Sequence, residues 1–298
     1  MQFYEHSGRC GTWGVPAATG VGVVTALVLG AVYAYGTNWI PFIYLNALLT
    51  VGFGLAVGAA VAWGARVGKI RSMPIAVMVG GVVGALALYF AWVFDPMARV
   101  EVVNQPIWDL QTLWAYMKLG YDEGFWSVGQ HGDEVKGILL AGVWGVEAAI
   151  IVGVAAMTVR GLLGTRPFCE ACNRWATVEK GVALLSLIGD EGVEAKLNRF
   201  MEGDLDSLGQ FYVGAEHEPA VLRLDLATCA NCPTCNYVTA TLVRLVEKKK
   251  GEVSKQEQKL LQNLELAPED VEKVRSAGMP RPVEPEVAEG ADETAIEA

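Results

Sequence analysis

The sequence predicts a mainly α protein: a four-helix transmembrane bundle followed by a small cytoplasmic α+β domain gathered around cysteines. Three observations carry that reading. Four apolar stretches, near residues 15–36, 42–64, 73–94 and 137–159, each hold about 20 residues or more, enough at a rise of about 1.5 Å to cross a hydrocarbon core of roughly 30 Å. Trp13, Trp39, Trp63 and Trp92 fall at the ends of these stretches, where an indole rests its ring in lipid and its N–H among headgroups. Past the last stretch, Cys169, Cys172, Cys232 and Cys235 form two Cys-x-x-Cys hooks.

Composition agrees. With 52% hydrophobic and 19% charged residues and a mean hydropathy of +0.32, the chain is too apolar for a soluble domain of 298 residues. The net charge of −10 is uneven: residues 1–159 hold 7 basic and 9 acidic groups, 160–250 hold 11 and 12, and 251–298 hold 5 and 12. The excess sits in the tail. No run of Lys and Arg stands ready to neutralise phosphates, which argues against nucleic acid.

The transmembrane domain covers residues 1–160. Its first stretch is longer than a signal-peptide core and lacks a small-x-small cleavage site, so it reads as retained, and four crossings leave both termini on one side. The connection after the second stretch carries Arg66, Lys69 and Arg71 with no acid, and Arg160 and Arg166 follow the fourth. The long connection 95–136 carries seven acids against Arg99, Lys118 and Lys136. Positive residues stay inside. The expected location is therefore a bacterial inner membrane, multi-pass, with cytoplasmic N- and C-termini and the lipid bilayer as first partner. Cytoplasmic thiols stay reduced, so paired hooks read as metal ligands rather than disulfides.

Small residues recur every four positions in Gly22-Ala26-Gly30, Gly54-Gly58, Gly80-Gly84 and, over the whole fourth stretch, Gly137-Ala141-Gly145-Ala149-Gly153. Such strips let helix backbones approach closely, within one bundle or along the seam of a homo-oligomer. Glu147 breaks the apolar pattern. A carboxylate at mid-span costs at least ~2.5 kcal/mol on insertion scales, so it is expected to be protonated, hydrogen-bonded or facing water. It is rotated about 200° from the strip on its own helix, and no Lys or Arg lies within the four stretches to pair with it.

In the outer connection Ile107, Leu110, Trp114 and Met117 have helical spacing beside Trp108, with Phe125 and Trp126 following, a pattern for a helix lying on the membrane. His131 stands near Asp122, Glu123, Asp133 and Glu134, but a lone His among solvated acids fixes no metal. His6 and His217 have no constellation at all. No nucleophile elbow, phosphate loop or His-Glu-x-x-His pattern occurs, so dedicated catalysis finds no support.

The cytoplasmic domain spans 166–250. Val221–Thr228 alternates, with Leu222, Leu224 and Leu226 on one face, and Tyr237–Leu245 is rich in β-branched residues; together they read as a hairpin turning at the second hook. A short strand is expected over Ala176–Glu179, and helices from Val182–Ile188 and from Val193, Leu197 and Phe200. Asn173 and Asn236 follow the second Cys of each hook, where a metal-gripping turn needs a residue tolerant of positive φ. Cys229 shares Cys-x-x-Cys spacing with Cys232, but Pro233 follows that pair with φ fixed near −65°. Cys229 is therefore read as the spare.

Over 168–246 the segment resembles zinc ribbons, in which two such knuckles, usually with Gly after the second Cys, clasp one Zn²⁺ beside a small hairpin. The resemblance implies Cys169, Cys172, Cys232 and Cys235 as ligands and says nothing about activity. The 59 residues between Cys172 and Cys232 make a long interval for a ribbon. Four thiolates make a closed site, hence a structural one; iron in a rubredoxin-like site has the same ligand set.

Residues 251–278 are expected to be a helical extension, with Ser254 and Glu257 as a capping box before Leu260, Leu261 and Leu264, and a second helix opened by Pro268 and closed by Gly278. Residues 279–298 are expected to be a disordered acidic tail. Three functions fit: a non-enzymatic adaptor, sensor or complex subunit with a protein partner or as a homo-oligomer; a proton- or small-solute-conducting protein using Glu147; and a membrane redox protein using Cys232 and Cys235.

Overall fold

Five helices account for the N-terminal half: α1 (Gly14–Trp39), α2 (Ile43–Val67), α3 (Met73–Arg99), α4 (Leu110–Glu123) and α5 (Gly137–Leu163). The computed structural model describes residues 2–40, 42–99, 105–125, 134–164, 166–188, 192–215, 217–247 and 253–279. They divide into two units, one of Glu5–Phe168 and one of Met1–Tyr4 with Cys169–Ala298. His131, Trp126, Asp133 and nearly all of the expected acidic tail lie outside the described residues.

Among the described residues α1, α2, α3 and α5 are long and apolar enough to cross a membrane. Each of α1 and α5 packs on both α2 and α3, so α1 and α5 face one another across the bundle. Glycine makes the seams close. A Cβ on Gly22 would meet Val61 and Val83, one on Gly58 would lie 2.5 Å from the Ala155 carbonyl oxygen, and one on Gly84 would lie 3.1 Å from Val152 Cα. Three of the four strips are thus packing faces.

The fourth is not. Gly145 and Gly153 of α5 have nothing within 4 Å of an added Cβ, and α5 buries Leu140, Ile151, Ala155 and Val159 instead. The reason is complementarity: α2 and α3 already supply the grooves, so α5 brings the bulk that fills them and turns its own strip outward. The outward faces elsewhere are apolar as well, with Val24, Val28 and Val32 on α1 and Met78 and Val82 on α3 all more than half exposed. That is the reverse of a water-soluble bundle.

Helix α4 forms where the spacing of Leu110, Trp114 and Met117 predicts one. Asp109 caps it, accepting from Thr112 N at 2.8 Å and Thr112 Oγ1 at 2.7 Å, and these donors hold the Asp109 carboxyl below its usual range.

The second unit begins with a two-stranded ribbon, β1 (Phe168–Cys169) and β2 (Arg174–Trp175), and continues into the antiparallel sheet β3 (Thr177–Ser186), β4 (Ala220–Thr228), β5 (Asn236–Glu247) and β6 (Val253–Glu265), paired in that order. Leu222, Leu224 and Leu226 share one face, as their alternation predicts, and pack with Val238, Ala240, Leu261 and Leu264. Phe200 of α6 (Val193–Met201), Leu208 of the 3-10 segment Leu205–Gln210 and Val274 of α7 (Pro268–Ala277) cover that core. The other face is polar: Arg223 donates to both Glu257 oxygens, at 2.8 and 3.2 Å. Beyond β6 the start of the chain joins the sheet, with Phe3 opposite Leu264, Tyr4 N donating to Asn263 O, Glu265 N donating to Gln2 O, and Tyr4 set edge-on to Tyr237 at 5.3 Å.

Two expected helices are strands. Of Val182–Ile188, the stretch up to Ser186 continues β3, because Gly181 at φ +64 makes a bulge that resets the register between Glu179 and Ala183 and lets the strand run on. Residues 253–265 are β6, not the first helix of an extension. A capping box contributes only about 0.5–2 kcal/mol, whereas β5 offers an edge along which Glu247 to Tyr237 pair with Val253 to Glu265. The tertiary partner overrides the local cap. Only α7 keeps the helical character expected of 251–278.

Candidate metal centre

The sulfurs meet where the β4–β5 hairpin turns over the β1–β2 ribbon. Cys169, on β1, and Cys172 come from the first hook, whose turn is closed by Asn173 at φ +49, the positive φ expected there. Thr228 pairs with Asn236 as the last rung of the hairpin, and Cys229 N then donates to Cys235 O at 3.1 Å. The five intervening residues carry Cys232 at the tip of the loop. Ala176, Ala227 and Tyr237 pack around the group.

The Sγ atoms of Cys169, Cys172, Cys229 and Cys232 all lie within 4.8 Å of one another, and those of Cys169 and Cys232 are 3.4 Å apart. A tetrahedral ion with metal–sulfur bonds of about 2.3 Å holds its sulfurs about 3.8 Å apart, so this donor set fits one. The membership differs from the sequence reading, which placed Cys235 fourth and set Cys229 aside. Pro233 excluded Cys229 only if the residue after the pair had to take positive φ. No residue from 229 to 236 does so; the hairpin loop makes the turn. Asn236 opens β5 and uses its side chain, Nδ2 donating to Pro233 O at 2.5 Å, to brace the loop. Cys235, 4% exposed, is the buried neighbour of the four.

Electrostatics set the sulfurs apart. The Cys232 thiol is drawn down to about 6, first by the hydrogen bond from Cys169 and next by that from Thr234. Cys172 is pushed up to about 12, chiefly by the proton it gives to Cys232, and Cys235 to about 12 by burial. Burial also raises Cys169. The thiols of Cys169 and Cys172 thus favour a thiolate at Cys232, and a divalent cation would draw their protons off.

Glu147, the other sequence candidate, lies within the bundle. Its Oε1 is 2.5 Å from the hydroxyl of Tyr33, on the opposite helix α1, and that hydroxyl is 2.8 Å from Thr50 Oγ1 on α2. The rotation away from the small-residue strip, read from the sequence, holds: the strip faces out and the carboxyl faces the axis. Towards the end of the bundle that carries α4 stands a second carboxyl. Asp95, 8% exposed, accepts from Asn38 Nδ2 at 3.0 Å, Arg99 Nε at 2.7 Å and Tyr116 Oη at 2.8 Å. Sequence reading assigned Asp95 to the outer connection, because the hydrophobic run stops at residue 94 while the helix continues to Arg99. Asn38 and Tyr116 carry no signal of their own.

The fold and site together define a class: four long apolar helices with an antiparallel-sheet unit carrying a cysteine group able to hold a metal ion. No family model matches the chain, and no curated protein or solved structure matches it at a significant level.

Proposed function

We propose that this is a multipass membrane protein whose sheet unit is organised by one structural Zn²⁺ on Cys169, Cys172, Cys229 and Cys232, and which acts without catalysis as an adaptor or subunit of a larger membrane complex. The convergence of those four sulfurs carries the reading. Four protein ligands close the coordination sphere, leaving no position for substrate or water, and the ion then serves the fold and the surface built on it. The hairpin beside two cysteine hooks supports a zinc-ribbon-like arrangement, enlarged by β3, β6 and α6.

Insertion in a bilayer is supported by the apolar outer faces of α1, α3 and α5. Residues 2–4 belong to the same folded unit as residues 169–279, and a chain whose two ends fold together crosses a membrane an even number of times. Arg66, Lys69 and Arg71 favour the cytoplasm for that side. The outward strip of α5 leaves a helix face free to meet a neighbour.

Elemental analysis of the purified full-length protein tests the metal. One tightly held, redox-silent zinc per chain is expected. Stoichiometric iron with thiolate colour would move the reading to electron transfer, and metal-free protein with a folded sheet unit would end it.

A further inference from the structure

Three oxygen–oxygen contacts run in series through the middle of the bundle. Glu147 Oε1 lies 2.5 Å from Tyr33 Oη, Tyr33 Oη lies 2.8 Å from Thr50 Oγ1, and Thr50 Oγ1 lies 2.9 Å from the Asn46 carbonyl oxygen. Each contact needs one hydrogen. The carbonyl has none to give, and the two hydroxyls bring one each. Tyr33 lies as donor to Glu147 Oε1 and Thr50 as donor to the Asn46 carbonyl, with either hydroxyl able to donate between them; all three contacts carry a hydrogen at once only when the carboxyl brings its own and Tyr33 turns to donate to Thr50.

The same chain works in reverse. When the carboxyl loses its proton, Tyr33 donates to the carboxylate and Thr50 turns to donate to Tyr33, while the Asn46 carbonyl keeps the i+4 backbone N–H of its helix. Two hydroxyl rotations make the site usable in both charge states. Tyr33, 7% exposed and stacked on Phe53 at 4.8 Å, is held in place for this.

Every neighbouring element contributes to the environment. From α1 comes Tyr33, and from α2 only the neutral Thr50 and Asn46. From α3 come Asp95 and, one turn on, Arg99; from α4, Tyr116 reaches Asp95. Helix α1 joins the two carboxyl sites, since Tyr33 serves Glu147 and Asn38, five residues on and about 7.5 Å along the axis, serves Asp95. The Asn46 amide donates to the Thr37 and Ile40 carbonyls at the end of α1, and its Oδ1 is buried with no donor among the described residues. The Arg99 side chain beside Asp95 is 26% exposed.

We propose that Glu147 is a proton-binding site on the bundle axis, exchanging its proton through Asp95 with the aqueous face that carries α4. The ligand is H⁺, and the site needs the bundle in lipid but not the metal. Asp95 is the second intramembrane acid that a relay requires and that Glu147 alone lacked.

The test is infrared difference spectroscopy of the full chain in lipid nanodiscs, in H₂O and D₂O. One protonated-carboxyl C=O band is expected, absent in Glu147→Gln and displaced in Tyr33→Phe, which keeps the packing on Phe53 while removing the hydroxyl. Asp95→Asn is expected to slow hydrogen–deuterium exchange of that band about 100-fold, the lower range for loss of a positioned proton carrier. Absence of the band from the wild type across neutral pH, its persistence unshifted in Glu147→Gln and Tyr33→Phe, or unchanged exchange in Asp95→Asn would overturn the proposal. So would loss of the band on adding sodium or potassium at fixed pH, which would make this a monovalent-cation site.

Discussion

Three cysteines crowd one hairpin mouth, and the distinction among them rests on where the turn is made. Cys229 leaves β4 and Cys232 sits at the loop tip; both reach Cys169 and Cys172, while Cys235, just ahead of β5, is buried beside Cys169. Replacing Cys229 by Ser is therefore expected to remove zinc from the purified protein as completely as Cys172→Ser, whereas Cys235→Ser retains about one ion per chain. Equal retention by Cys229→Ser and loss by Cys235→Ser would restore the assignment that spacing alone suggests. The hooks were plain in the sequence because cysteine is rare and its pairing local. The choice between 229 and 235 was hidden, since it depends on a backbone turn that no residue type announces. Protonation gives a second test. Cys232 is drawn down to about 6 while Cys172 stands at about 12 and Cys169 is raised, so binding must expel protons at neutral pH. Zinc affinity should rise with pH, by about 10-fold per unit for each proton that leaves, and fall most steeply below about 6, where Cys232 also takes one. Competition against a chromophoric chelator at several pH values measures this.

Between helices, glycine decides which surfaces meet. An added Cβ at Gly58 would stand 2.5 Å from the Ala155 carbonyl and 2.7 Å from Thr158 Cβ, so Gly58→Ala must part α2 from α5 and is expected to cost about 1–3 kcal/mol. Gly145→Ala, on the open strip, is expected to be neutral or to stabilise by up to about 1 kcal/mol through the unfolded chain. Thermal unfolding of the two variants in the same detergent separates them. Four-residue spacing of small side chains thus reveals which helix faces are smooth but not which smooth face is used, because the answer lies in the bulk on the partner. The strands show a matching limit. Leu222, Leu224 and Leu226 announce β4 by alternation, whereas β6 reads Ser-Lys-Gln-Glu-Gln-Lys and is a strand only because β5 lies beside it.

For the molecule as a whole, the number of helices long and apolar enough to cross a membrane was the most legible property, since it needs only the length and apolarity of four runs. Sidedness is testable in sealed vesicles with a membrane-impermeant maleimide and peptide mapping. Cysteines placed at Gln2 and Ser276 are expected to label from one face, and one placed at Gln111, on the exposed side of α4, from the other. Labelling of Gln2→Cys and Ser276→Cys from opposite faces would contradict an even number of spans. What the sequence could not disclose is that residues 2–4 complete the distant sheet, for three residues carry no periodicity and their partner is almost the whole chain away.

That bridge between Gln2–Tyr4 and β6 imposes an order on folding. Gln2–Tyr4 precede the helical bundle in the chain, yet their docking edge at Asn263–Glu265 follows it, so this segment must wait, unpaired, until the sheet has formed. The edge of β6 is the final surface to be sealed. A bulky fusion at the amino end would leave it open, while one at the carboxyl end, beyond α7, would not.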